Sequence, residues 1–167
     1  FFDSANHPKN ALIVKDLKKD DEKILECNED SPTSLFVFKT ITDPFVGKTS
    51  YFKVTSGTLY AGMTLYNPKE KEDEKIVKIY QPMGKNLIEV DKLHAGEIGA
   101  FTRSTTCHTN DTLCDPRSPI LIPDTEYSKP YYKKAIVPLG KSNEEKIANA
   151  INRLLEEDPT LVYEYNE

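Results

Sequence analysis

Between Leu35 and Asp115 the chain is a series of short β-branched and aromatic runs, each closed by turn residues, with no helical period between them. This feature constrains the fold most. Leu35 to Thr40, Lys48 to Thr55, Thr64 to Tyr66, Lys75 to Gln81, Leu87 to Val90, Ile98 to Arg103 and Thr112 to Cys114 read as strands. Ser56-Gly57, Asn67-Pro68, Pro82-Met83-Gly84-Lys85-Asn86 and His94-Ala95-Gly96 read as the turns between them. Many short strands at this spacing predict an antiparallel closed β-barrel, because closure removes the exposed edges that a sheet otherwise presents. The class is therefore mainly β.

The flanks differ. Residues 1–34 are a charged lead-in, with short strands predicted at Ala11 to Val14 and Lys23 to Cys27 around the solvated run Lys15 to Glu22. The barrel is assigned to 35–118. In 119–167, Tyr131 to Val137 reads as a strand. Ser142-Asn143-Glu144-Glu145 has the form of a capping box, and Ile147, Ile151 and Leu154 recur at helical spacing with Ala150 and Leu155 beside them. Asp158-Pro159 stops that helix, and Leu161, Tyr163 and Tyr165 alternate as in a half-buried strand. One strand–helix–strand unit covers only one face of a very small sheet, so this last region is expected to be the first half of a domain.

Composition narrows the function. Nine Tyr, seven Phe and 38% hydrophobic residues suffice for a core, so the chain is not a disordered one. A net charge of −5 gives no overall field drawing it to nucleic acid, which leaves only local patches for that purpose. No apolar run reaches the roughly 18 residues of a membrane span. Phe1-Phe2-Asp3-Ser4 has neither an initiating Met nor the regions of a signal peptide, which leads us to expect a piece of a longer protein. Three cysteines, Cys27, Cys107 and Cys114, make no disulfide framework and favour a reducing cytoplasm.

Candidate chemistry is sparse. Gly47-Lys48-Thr49 ends like a phosphate loop, but Thr42 stands where that loop needs its first glycine, and a strand follows instead of a helix. Asp43-Pro44-Phe45-Val46-Gly47 reads better as a turn. Cys107, His108, Asp111 and Cys114 lack a second close pair at zinc spacing, and adjacent Cys107 and His108 would point to opposite faces of a strand. A loop between two strands accounts for them. His94 reads as a surface histidine in its turn. Glu70, Glu72, Asp73 and Glu74, alternating with Lys69, Lys71 and Lys75, read as a solvated hairpin tip. For Tyr131-Tyr132-Lys133-Lys134 two readings stand, stacking on bases with phosphate pairing, or a strand covered on both faces. No catalytic residue and no metal ligand set is assigned.

Several segments carry a resemblance. Asp43-Pro44-Phe45-Val46-Gly47-Lys48 with Tyr51-Phe52-Lys53-Val54 and Ser56-Gly57-Thr58-Leu59 looks like the start of the second domain of elongation factor G. Ala95-Gly96-Glu97-Ile98-Gly99-Ala100 resembles its "AGDI.A" segment, and Asn110-Asp111-Thr112-Leu113-Cys114-Asp115 its "GDTLCD" ending. Glu156-Glu157-Asp158-Pro159-Thr160-Leu161 resembles the "EEDP" stretch of the third domain, with Lys141 to Leu155 fitting the preceding helix. The set runs in the family's order over about 35–165. Ser50-Tyr51-Phe52 and Pro159-Thr160-Leu161 look closer to factor-G-like paralogues. The family's "MHAN.REEI" is replaced by Pro82 to Val90, which removes a histidine and an arginine from that loop.

The resemblance implies a translational GTPase whose nucleotide domain precedes residue 1, with 1–34 leading in from it. No cofactor is expected in this chain, while GTP and Mg²⁺ are implied for the longer protein. The barrel would pack on its own GTPase domain and dock on the small ribosomal subunit, on rRNA and protein, in the cytoplasm and away from any membrane. Lys48, Lys69, Lys71, Lys78 and Lys85 are the candidate contacts, since lysines at loop tips suffice to pair phosphates. The third domain resembles a ferredoxin-like α/β fold, here truncated to strand–helix–strand. Its unpaired backbone is expected to move, rearrange or pair with a neighbouring chain. Other readings are a ribosomal-protection type GTPase and a stand-alone β-barrel that binds a protein or small ligand.

Overall fold

The computed structural model describes residues 11–43, 47–104, 106–137 and 144–164. They fall into two compact units, which meet in sequence at Asp124 and Thr125.

The longest elements of the first unit are β3 (Ser34–Asp43) and β4 (Gly47–Ser56), antiparallel partners along their whole length. Leu35 and Val37 alternate with more exposed residues in β3, as Phe52 and Val54 do in β4, and these four side chains are fully buried. Register shifts at Ser34/Leu35 and Val37/Lys39 insert extra residues into the pair, which bends and twists it. Around this hairpin the chain adds β5 (Thr58–Tyr60), β6 (Thr64–Asn67), β7 (Glu72–Lys75), β8 (Ile79–Met83), β9 (Asn86–Val90), β10 (Lys92–His94), β11 (Ile98–Thr102) and β12 (Thr112–Cys114). One eight-stranded sheet has the order β7-β6-β12-β3-β4-β11-β8-β9, while β5 and β10 form a separate pair.

The expected closed barrel is corrected here. Among the described residues the ladder ends at β7 and β9 and does not return on itself. The physical reason lies in the end strands. β7 is Glu72-Asp73-Glu74-Lys75, and a fully charged strand resists a second partner. β8 carries Pro82, which has no N–H; β11 reaches β8 only at Ala100↔Tyr80, so beyond that point only β9 borders it. Side chains nevertheless enclose one core. Leu35, Val37, Phe52, Val54, Leu59, Leu65, Ile79, Leu93, Phe101 and Leu113, from both sheets, share a single cluster. Phe52 and Phe101 stack at 5.5 Å with a 34° tilt. Gly99 permits that packing, because a Cβ there would collide with Phe52 and Leu93.

β1 (Leu12–Asp16), β2 (Asp21–Leu25) and β13 (Ile120–Leu121) form a three-stranded sheet in the order β13-β1-β2. Val14, Ile120 and Ile122 pack with Cys114 and with Leu12, Leu25, Phe36 and Tyr66 in a second cluster. Gly57 holds the approach to β3 in place. Its φ is +72°, and a Cβ would lie 2.6 Å from the backbone of Ser31 and Thr33.

Two turn expectations also change. Of the charged run read as a hairpin tip, Lys69, Glu70 and Lys71 lie in the tip Pro68–Lys71, whereas Glu72 to Lys75 form strand β7. Pro82 and Met83, read as turn, belong to β8, and Gly84 (φ +60°) with Lys85 makes a two-residue connection of the type II′ kind.

The second unit holds one helix, α1 (Glu144–Glu157). Ser142 of the expected capping box lies outside the described residues. Ile151 is the buried residue of the stripe, whereas Leu154 is 52% exposed. Asp158 ends the helix: its N–H donates to Leu154 O (2.9 Å) and its Oδ1 accepts from Thr160 N and Oγ1. The expected flanking strands are a correction. Residues 131–137 and 161–164 form no ladder, so the strand–helix–strand unit is reduced to its helix, and Tyr165 lies outside the described residues. Two short segments without a third strand between them cannot complete a sheet.

Candidate interaction surface

Gly47 (φ +84°) opens β4 opposite Asp43, and Lys48 and Thr49 continue as strand. No helix begins there, so the Gly-Lys-Thr triplet lacks the N–H cradle that a phosphate requires.

The five candidate lysines do not form one cluster by sequence or by element. Lys48 lies at the start of β4, where its carbonyl accepts the N–H of Arg103 (2.9 Å). Lys69 and Lys71 occupy the β6–β7 turn. Lys78 precedes β8, and its ammonium meets Glu89 at 2.8 Å, which raises the lysine's pKa. Lys85 is exposed at the tip of the β8–β9 hairpin. Lys71 adopts a left-handed φ of +59°, and its N–H donates to Asn67 O.

Lys69 belongs to a polar knot that ties the β6–β7 turn to the loop before β12. Asp111, 2% exposed, accepts from Asn67 Nδ2 (2.9 Å) and from His108 N (2.8 Å). Asn67 Oδ1 in turn accepts the N–H groups of Lys69 and Glu70. The Lys69 ammonium reaches Asn110 O (2.8 Å), Asp124 (2.6 Å) and Asp111 (3.8 Å). Glu70, His108 and Asp111 place possible ligand atoms within 4.8 Å of one another. The cation already beside them is Lys69, and the knot reads as a structural clasp. Cys107 is buried in the core and its thiol is pushed far up by desolvation, then by the negative charge of Asp111, so it is no thiolate nucleophile. His94 sits in β10, with its backbone N–H donating to Glu97 Oε2 (2.6 Å).

A different surface emerges from pairing. Lys39↔Tyr51, Tyr51↔Ala100, Ala100↔Tyr80 and Tyr80↔Glu89 are direct partners across β3, β4, β11, β8 and β9. Direct partners share a face. Phe52, Phe101 and Ile79 line the core, so this row looks outward. The next row is Phe36, Lys53 and Ile98. Sequence reasoning missed Lys39, Tyr51, Lys53 and Tyr80 as a group, because four strands far apart in sequence bring them together. The alternation around Phe52 was a usable signal for two of them, since Tyr51 and Lys53 must point away from a buried Phe52.

The chain belongs to the elongation factor G family: the family's domain 2 profile matches residues 32–116 and its domain III profile matches 127–167. It is similar to elongation factor G of Salinibacter ruber (strain DSM 13855 / M31), with 37% identity over 132 residues, 79% of this chain and 19% of that protein. It is also similar to a crystal structure from Thermus thermophilus, at a TM-score of 0.72 and 31% identity, covering 81% of this chain and 20% of that one. The chain thus spans about a fifth of the length of these relatives.

Proposed function

We propose that this chain is the non-catalytic docking portion of a ribosome-associated translational GTPase. The observation that carries the reading is the match of two successive elongation factor G domains, in order, to one chain. In this reading the first unit, an antiparallel sheet wrapped around one core, is the counterpart of the family's second domain. It rests on rRNA and protein of the small ribosomal subunit. Residues 1–34 lead in from the GTPase domain, 35–118 form the second domain and 119–167 begin the third.

GTP and Mg²⁺ belong to the longer protein, which acts in the cytoplasm. The phosphate contacts that give affinity carry no sequence information, so a stiff platform with lysines is sufficient chemistry. Lys71 and Lys85 remain candidate contacts at exposed or turn positions and Lys48 one at the start of β4, and at Lys69 and Lys78 a phosphate would have to displace a carboxylate. Residues 131–137 and 161–164, exposed and without a ladder, support pairing of the second unit with further strands of the longer protein or with a neighbouring chain. No helix among the described residues is long and apolar enough to cross a membrane.

The test is co-sedimentation of the chain with purified small ribosomal subunits over a salt series. Binding that weakens steeply as salt rises supports the reading. Binding absent at low salt, or GTP hydrolysis by the chain alone, overturns it.

A further inference from the structure

We infer that the outer face of β3, β4, β11 and β8 holds unpaired RNA, stacking bases on Tyr51 and Tyr80 and pairing phosphates with Lys39 and Lys53. The inference rests on the ribosome-docking reading and names the chemistry of that contact.

Tyr51 and Tyr80 lie in one row with only Ala100 between them. At the ordinary strand spacing, two strands apart, their Cα positions are roughly 10 Å from each other. Both are partly exposed, while Ala100 between them is fully buried, so the accessible surface of the row at this point belongs to the tyrosines. Lys39 continues the row beyond Tyr51, and Lys53 stands about 7 Å along β4 in the next row. Among the described residues neither lysine has a carboxylate partner. The one carboxylate of the row, Glu89, is held by Lys78 at 2.8 Å. A chain of net charge −5 therefore keeps an uncompensated positive strip on this face.

The composition selects the partner. Protein interfaces are poor in lysine at their centre, while two tyrosines flanked by free lysines suit a polyanion with π-faces. Aromatic side chains on the open face of a four-stranded sheet are a known platform for single-stranded RNA. A paired helix would hide its bases from the rings, so loops and bulges are the fitting targets.

The experiment uses the whole chain, purified small ribosomal subunits and a fluorescein-labelled uridine oligomer of about 12 nucleotides. Lys39→Glu/Lys53→Glu is expected to weaken both interactions at least tenfold. It should also lower the slope of log affinity against log salt by about 1.4, from two lost single-strand phosphate contacts. Tyr51→Leu/Tyr80→Leu is expected to lose about tenfold with the slope unchanged, and circular dichroism melts confirm that each variant folds. Lys19→Glu/Lys129→Glu, with the same charge change elsewhere, controls for net charge.

Equal binding by wild type and Lys39→Glu/Lys53→Glu overturns this face and leaves ribosome docking standing. Full affinity in Tyr51→Leu/Tyr80→Leu overturns the stacking. A wild-type chain that binds neither subunits nor oligomer at low salt overturns both readings.

Discussion

Asp111 shows how much a single residue can carry in this chain. Its buried carboxylate satisfies Asn67 Nδ2 and the His108 N–H and faces the Lys69 ammonium. Asp111→Ala leaves those donors unpaired in a dry site, which costs about 2–4 kcal/mol. The expected readout is a lower denaturant midpoint, with faster amide exchange at Lys69 to Lys71. Asp115 makes the pH prediction. Its pair of contacts from Arg117 (3.1 and 2.8 Å), with the Arg117 N–H as a third, holds its carboxyl below the ordinary value despite desolvation. A depressed carboxylate stabilises the fold at every pH above its unfolded value, near 3.9, and that contribution fades as pH falls through the lower folded value. Asp115→Asn should therefore flatten the loss of stability below about pH 4, seen in urea midpoints across a pH series, and change little of the slope above pH 5. The Arg117 side chain is 91% exposed, so solvent screening keeps the effect small.

At the scale of elements, regular pairing and its absence predict where the chain opens. β3 and β4 share a long ladder and supply Leu35, Val37, Phe52 and Val54 to the core, so their amides should exchange slowest. Residues 131–137 are exposed throughout, with Tyr131 95% and Tyr132 81% accessible. Their amides and those of 161–164 should exchange within the dead time of a manual experiment, and trypsin should cut first at Lys133 or Lys134. Protection of these segments in the isolated chain, together with a concentration-dependent mass, would identify pairing between copies. The sequence pattern was legible for β3, β4 and α1, where alternation or helical period runs long enough, and for β11 and β12 as short runs bounded by turn residues. It misled at Glu72 to Lys75, because a charged run at a sheet edge looks like a solvated turn. It also misled at 131–137, where propensity for strand has no neighbour to act on.

For the whole molecule, both hydrophobic clusters and every strand of the described residues lie before Thr125. A chain ending at Asp124 should therefore fold cooperatively by itself, giving a single β-type circular dichroism melt; a broad, non-cooperative transition would refute this. The family was legible because its signals are local. Turn glycines, the Asn110 to Asp115 stretch and the Asp158-Pro159 stop each follow from backbone needs within a few residues. The candidate contacts were legible only in part, because loop-tip lysines show in a sequence while their salt partners do not. Asp124 and Glu89, which bind Lys69 and Lys78, stand 55 and 11 positions away.

By itself the sequence determined the mainly β class, the long strands β3 and β4, the helix α1 and the alternation of their buried side chains, since these depend on periods of two and 3.6 residues and on local φ preferences. Tertiary structure alone decided where the ladder stops, that β1, β2 and β13 make their own sheet, and that Lys39, Tyr51, Ala100 and Tyr80 stand in one row. Those outcomes depend on register between strands distant in the chain, and register is set by packing across the whole sheet, not by any one segment.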